Sequence, residues 1–306
     1  MQMFKKFPVL IFLLIVFLVA GCSNSDQLNG PTANPEISPS ATITSSPVVP
    51  TPTSLPMALI VNNEGISLQE YQINLNQINS AQTELGKNLS AEELSQKVVD
   101  YLTDETLLEQ AAYEAGFELT ESAFNERLDT LVAEAGGEEA FQAWLSNQGY
   151  SESIFLIALR RSVAASWQRD QIIAQVPNTA EQVHARQIMV SDQDTADKIY
   201  NRLQSGADFA TIAFQYDPLT GGELSWFPRG YLILSEIEDA VFELQPGQYT
   251  PVLSTAYGFQ IVQVIERDAN RSLTADAYSV MQHKALENWL SERRKASSIE
   301  ILIPKS

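Results

Sequence analysis

The sequence predicts an α+β chain in which a helical domain is interrupted by a compact domain of short strands and helices. Three observations predict it. Residues 57–178 place apolar side chains at helical spacing in one segment after another. Residues 179–268 change to short strands and helices separated by Gly and Pro turns, the pattern of a compact α+β unit. Residues 269–306 return to a long helix and then to Ile299-Glu300-Ile301-Leu302-Ile303, an apolar strand that needs cover and a partner.

The chain opens with Lys5 and Lys6, an apolar run from Phe7 to Ala20, and Leu18-Val19-Ala20-Gly21-Cys22. That run is short for a membrane span of ~20 residues, and small residues close it, so residues 1–21 read as a secretory signal peptide. The last five residues resemble the bacterial lipobox. The resemblance implies cleavage before Cys22, lipid on that residue, and an extracytoplasmic chain anchored to a bacterial membrane, the cell membrane being expected. An ordinary signal or uncleaved anchor with a chance cysteine is the alternative. Residues 22–56 read as a tether: positions 23–56 hold 7 Pro, 7 Ser and 5 Thr, with only Asp26 and Glu36 charged. Such a segment buries too little apolar surface to offset its ordering entropy, and its prolines keep it extended.

Composition limits the chemistry. Among 306 residues there is one Cys and two His, at 184 and 283, against 38 acidic and 19 basic side chains and a net charge of −19. One Cys excludes an internal disulfide and a Cys-based zinc site, and two His exclude a three-His metal centre. No metal and no cofactor is expected. The acidic balance argues against nucleic acid, whose phosphates call for clustered Lys and Arg. It also argues against a basic membrane-surface patch, so attachment would rest on the lipid.

In the helical domain, Ala58-Leu59-Ile60-Val61 reads as a strand, Asn62-Asn63-Glu64-Gly65 as a turn, and Ser67 as the start of a helix carrying Leu68, Tyr71, Leu75 and Ile78. Ser90-x-x-Glu93 is a capping box for a long helix with the stripe Leu94, Val98, Tyr101, Leu102, Leu108 and Ala112, ended by Gly116. Helices follow over 120–135, 138–147 and 151–175, closed by Pro177. With 19 acidic and 6 basic residues and no His, Cys or phosphate loop, residues 57–178 read as a packing domain. Ala58 to Val61 is the expected partner of the terminal strand, so residues 269–306 would complete this domain.

In the middle segment, strands are expected at 183–190 and 258–265, and after the turn at Gly221-Gly222. Helices are expected over 195–203, 209–216 and 235–244. Here the sequence resembles the parvulin-type, PpiC-like peptidyl-prolyl isomerases. The matching words are Ala185-Arg186-Gln187-Ile188-Met189-Val190, Gly206-Ala207-Asp208-Phe209-Ala210-Thr211-Ile212-Ala213 and Gly221-Gly222-Glu223-Leu224-Ser225-Trp226-Phe227-Pro228-Arg229-Gly230. Then follow Glu238-Asp239-Ala240-Val241-Phe242-Glu243-Leu244, Pro246-Gly247 and Thr255-Ala256-Tyr257-Gly258-Phe259-Gln260-Ile261-Val262. The flanking helical segment looks like SurA- and PrsA-type chaperone domains. Together they imply a parvulin-like domain at 179–268 inserted in a SurA-like helical domain.

The resemblance implies isomerisation about X–Pro bonds, whose barrier of ~20 kcal/mol makes the uncatalysed step take tens of seconds or more. Such a site holds the proline ring in an apolar pocket and favours the twisted imide, whose nitrogen becomes a better hydrogen-bond acceptor. Carried over residue by residue, the family's two strand histidines fall on Gln187 and Gln260, and its Asp or Cys on or near Asp217. Its pocket Met falls on Leu232 and its pocket Phe on Ile237, while Leu224 and Thr255 match the family type. Gln187, Asp217 and Gln260 are thus the candidate catalytic residues, and Leu224, Leu232, Ile237 and Thr255 the candidate substrate-binding ones. Gln donates and accepts, so a Gln187–Gln260 pair satisfies a polar floor, while Leu and Ile keep the pocket apolar. His184 lies three positions from Gln187, on the opposite strand face. Asp217 precedes Pro218, and a turn-forming role stands beside the catalytic one.

The function that follows is a membrane-anchored foldase acting on unfolded or proline-containing exported polypeptides, with weakened catalysis. The alternative is a non-catalytic holdase that keeps the fold as a peptide-binding platform.

Overall fold

A computed structural model describes residues 56–303, and the readings of the signal peptide, Cys22 and the tether lie outside the described residues. The described chain divides into two compact units. One comprises 56–103, 120–160 and 298–303, and the other 104–119 and 161–297.

The first unit begins with a hairpin where the sequence predicted a strand and a turn leading straight into a helix. Strands β1 (Met57–Val61) and β2 (Glu64–Ser67) pair antiparallel. Asn62, at φ 48°, takes the left-handed conformation that Asn tolerates and hairpin turns require, which folds Glu64–Ser67 back along β1. Leu59, Val61 and Ile66 are thereby buried. On the other edge of β1 lies β7 (Ile299–Ile301), with Leu59 across from Ile301 and Val61 across from Ile299. The apolar terminal strand thus has the partner it was expected to need, in a sheet of order β2-β1-β7.

Helix α1 (Leu68–Glu84) starts at Ser67, whose Oγ accepts the Glu70 N–H. Helix α2 (Ala91–Glu114) opens on the expected capping box, with Ser90 N–H donating to Glu93 Oε2 at 2.8 Å and Glu93 N–H to Ser90 Oγ at 3.2 Å. Its stripe buries Leu94, Val98, Leu102, Leu108 and Ala112, but Tyr101 is exposed, and Val99, Thr106 and Leu107 complete the buried side. Gly136-Gly137, both at positive φ, link α3 (Glu121–Ala135) to α4 (Glu138–Gln148). Helix α5 (Glu152–Ala174) follows.

In the second unit, Leu108, Ala165 and Ile172 pack with Leu286, Trp289 and Leu290 of α9 (Ala275–Lys295). Ion pairs run alongside, Arg161–Glu109 at 3.2 Å and Arg169–Glu105 at 2.9 Å. Burial pushes the Glu105 carboxyl up, against the pull of Arg169 and Arg161.

The remainder of this unit is a four-stranded antiparallel sheet of order β4-β3-β6-β5. Strands β3 (Thr179–Val190) and β6 (Gly258–Ser272) are longer than their apolar runs predicted, because 179–182 and 268–272 continue the ladder, with the buried Gln182 donating from Nε2 to the Arg271 and Ser272 carbonyls. Between them come α6 (Gln193–Gln204), α7 (Phe209–Tyr216), β4 (Glu223–Pro228), α8 (Ser235–Phe242) and β5 (Leu253–Thr255). On one face of the sheet, Val183, Ala185, Phe227, Val262 and Val264 pack against Ile237, Val241 and Phe242 of α8. On the other, Ile188 and Ile261 pack against Ile199 and Leu203 of α6 and Phe209 and Ile212 of α7. Among the described residues, no helix is long and apolar enough to cross a membrane.

Candidate functional site

The site is set by strand register. Gln187 lies across from Val262, and Gln260 lies across from Met189 on one side and Leu253 on the other. Opposed residues of an antiparallel ladder share a face and successive residues alternate. Ala185, Gln187, Met189, Leu253, Gln260, Val262 and Val264 therefore lie on one face. Helix α8 covers the end of it that holds Ala185 and Val264.

The two glutamines are diagonal neighbours, yet no hydrogen bond joins them. Gln260, 2% exposed, donates from Nε2 to Thr255 Oγ1 at 3.1 Å. The Thr255 hydroxyl donates to the Gly258 carbonyl at 2.9 Å and accepts the Tyr257 N–H at 3.2 Å. A hydroxyl has one hydrogen. Since Thr255 gives it to Gly258, it offers Gln260 only lone pairs, and the carboxamide must present its NH₂ there. Gln260 Oε1 is left buried and without a partner.

The wall beside the glutamines is apolar. Leu224 is the extra residue of a bulge in β4, between Ser225, paired with Ala185 at φ 56°, and Glu223, paired with Arg186. Leu224, Leu232 and Leu253 are half-buried against the core of this face. Ile237 is 4% exposed and lies within that core, beneath the wall rather than on its surface. The buried Glu238 carboxylate fixes the loop that carries Leu232 by accepting the N–H groups of Gly230 and Leu232.

Asp217 serves its own loop. Its carboxylate accepts from Leu219 N–H at 3.1 Å, Thr220 N–H at 3.2 Å, the Thr220 hydroxyl, and Gly222 N–H at 3.3 Å. The loop in turn reaches the site, because Gln187 N–H donates to Gly222 O at 2.7 Å. The Thr220 hydroxyl and N–H, with Leu219 and Gly222, hold the Asp217 carboxyl below its usual value. A lowered folded-state pKa favours the ionised form, so this support is present above the usual value of 3.8 and is lost as pH falls through the lowered one. In an acid titration the Leu219 and Thr220 amide resonances should move together with a midpoint below 3.8. Resonances that stay fixed through that range would contradict the assignment.

His184 faces away from the glutamines, as its odd offset requires. It pairs with Glu223 and stacks on Trp226 at 5.3 Å between centroids. His283 is exposed on α9 beside Glu287. Among the described residues, no group of three His, Cys, Asp or Glu is arranged to hold a metal.

Two neighbours escaped the sequence reading. Met189 was legible in principle, two residues beyond Gln187 and so on the same face. Leu253 was not, because β5 is only three residues long and carries no alternation.

Residues 2–169, more than half of the chain, match the family described as SurA-like N-terminal domain, and residues 172–266 match the PPIC-type PPIASE domain. The chain belongs to the SurA-like N-terminal domain family. Its second match places the α+β part among the peptidyl-prolyl isomerase, or rotamase, domains. With this SurA-like chain, the foldase protein PrsA of Geobacillus sp. (strain WCH70) is 31% identical over 131 residues, 41% of this chain and 47% of the relative. The chaperone SurA of Pseudomonas syringae pv. tomato is 32% identical over 146 residues, 40% of this chain and 34% of the relative. The chain thus spans less than half the length of these curated relatives. The crystal structure of peptidylprolyl isomerase (PrsA) from Bacillus cereus is 20% identical, with 79% of this chain and 87% of that chain covered and a TM-score of 0.42.

Proposed function

We propose that this SurA-like chain is a foldase of parvulin type that grips unfolded, proline-containing exported polypeptides on the Gln187–Gln260 face and isomerises X–Pro bonds slowly. In this reading Cys22 carries the lipid anchor and residues 22–56 hold the protein body away from the extracytoplasmic face of a bacterial membrane, the cell membrane being expected. Residues 57–178 with 269–306 form the helical domain, and 179–268 the isomerase domain. Gln187 and Gln260 form the polar floor, with Leu224 and Leu232 the apolar wall over Ile237. Asp217 shapes the loop that hydrogen-bonds to Gln187, and Thr255 orients Gln260.

One observation carries the slow-catalysis part. The Gln260 NH₂ is committed to Thr255, so it is not the donor that a developing imide lone pair needs. The same observation favours the holdase as the second reading, because gripping a chain needs the wall but not the donor. Two assays decide between them. A protease-coupled prolyl-peptide assay should show isomerisation above the thermal rate but slow, with the full chain also suppressing aggregation of an unfolded client. A thermal rate with suppression retained leaves the holdase. Failure of both assays removes both readings.

A further inference from the structure

The three-stranded sheet of the first unit leaves one edge of β7 open. Pairing with β1 uses alternate residues of β7: Ser298 O accepts from Asn62 N–H at 2.7 Å and Leu302 N–H donates to Ala58 O at 2.8 Å, with Glu300 across from Ile60 between them. In an antiparallel ladder the residues between bonded pairs turn their N–H and C=O the other way. The N–H and C=O groups of Ile299 and Ile301 therefore point out of the sheet, at an edge that no strand among the described residues occupies. Their side chains lie on the face of Leu59 and Val61, which are fully buried, yet Ile299 is 36% and Ile301 50% exposed. On the opposite face the exposed Glu300 has Ile60 across from it and Gly65 beyond, so its row offers no cation.

Such an edge is completed by one more strand, and the residues fix what that strand must be. An antiparallel segment that exchanges bonds with both Ile299 and Ile301 sets one residue across from each, on the apolar face, and a residue between them across from Glu300. A second copy of β7 does not fit. The register that satisfies both isoleucines in both copies sets Glu300 of one directly across from Glu300 of the other, and like charges so placed are destabilising. A basic side chain there completes the row, in keeping with a chain whose net charge is −19. We propose that the open edge of β7 takes an extended segment of a client polypeptide reading apolar–basic–apolar, its two apolar residues packing beside Ile299 and Ile301 and its Lys or Arg facing Glu300. This polypeptide site is additional to the Gln187–Gln260 face, and only the partner's being an unfolded client rests on the proposed function. Proline cannot fill either apolar position, since its nitrogen has no hydrogen to donate.

The test is an amide NMR titration of the full chain with proline-free peptides that share a Val-Lys-Val centre. The parent peptide should shift the Ile299 and Ile301 amides, and N-methylation of both Val residues should raise its dissociation constant by at least about tenfold. A Val-Glu-Val centre should bind about two- to fivefold more weakly than Val-Lys-Val, and in Glu300→Lys that order should reverse. Ile301→Pro removes an N–H that takes no part in pairing with β1, so it should raise the parent peptide's constant about tenfold while leaving the Asn62 and Leu302 amides in place. Equal binding of the N-methylated peptide, or no shift at the Ile299 and Ile301 amides at millimolar peptide, overturns the proposal without needing any variant. A preference for Lys over Glu that persists in Glu300→Lys also overturns it, as general attraction to an acidic chain. Sedimentation that shows the unaltered chain as a dimer, dissociated by Ile301→Pro, does the same, since a second copy then fills the edge. The prolyl assay reads the other face separately: binding here beside a thermal prolyl rate upholds the edge site and removes only the isomerase reading.

Discussion

Gly222→Ala is expected to destabilise the second unit by roughly 2–4 kcal/mol and to abolish peptide binding at the Gln187–Gln260 face. A Cβ at position 222 would stand 1.9 Å from the Gln187 carbonyl oxygen and 3.0 Å from its carbonyl carbon, both backbone atoms that no rotamer change can move. Gly222 also sits at φ +73°, which costs an L side chain about 1–2 kcal/mol before any collision. To escape, the loop must withdraw from β3, losing the bond from Gln187 N–H to Gly222 O, worth about 1 kcal/mol. That withdrawal carries Leu224 away from the floor, so binding falls with stability. Thermal melting of the variant, followed by peptide titration below its midpoint, reads both effects. An unchanged melting temperature would mean that the close approach of β3 and the Gly221-Gly222 turn is wrong. The same substitution at Gly206, also at positive φ but with open space where its Cβ would stand, is the control that pays only the conformational part.

The Gln187→His, Gln260→His double variant is expected to raise the prolyl isomerisation rate by on the order of tenfold to a hundredfold over the unaltered chain. The effect of one positioned donor on a developing charge sets that scale. Both positions lie on the same sheet face, diagonal to one another, and Thr255 stands ready to accept from a ring N–H at position 260. Imidazole brings a donor that does not depend on which way a carboxamide is turned. The protease-coupled assay measures the change directly. A variant that folds, binds the peptide and remains at the rate of the unaltered chain would show that the glutamines are not what slows this site.

Much of the fold was legible because its signals are local. The Ser90–Glu93 capping box and the helix expected over 209–216 each follow from neighbouring residues. The terminal strand was legible for a different reason, since an apolar strand at a chain end demands cover and β1 offered an edge. The second strand of the opening hairpin was missed because Glu64-Gly65-Ile66-Ser67 has one apolar residue and no alternation of its own. Only Asn62 at positive φ makes it a strand. The outer ribbon of β3 and β6 was missed because 268–272 carry no apolar alternation, and the side chain buried there, Gln182, is polar and held by the Arg271 and Ser272 carbonyls.

The site divides the same way. That Gln187 and Gln260 share a face followed from the resemblance to the parvulin-type domains, while the exclusion of His184 was readable from period-two alternation. Their failure to bond one another was not readable, because it depends on how Thr255 spends one hydroxyl hydrogen across a three-residue strand. Asp217 was left open between turn former and catalytic group. Its four hydrogen bonds within 217–222 account for the turn.

The most direct test of the account is an NMR titration of the full chain with a labelled prolyl peptide. The account predicts that the largest shifts fall on Gln187, Met189, Leu253, Thr255 and Gln260, with smaller ones at Leu224 and Leu232. Shifts confined to the opposite face, around His184 and Trp226, or to the helical domain alone, would contradict the assignment of this face as the peptide-binding site.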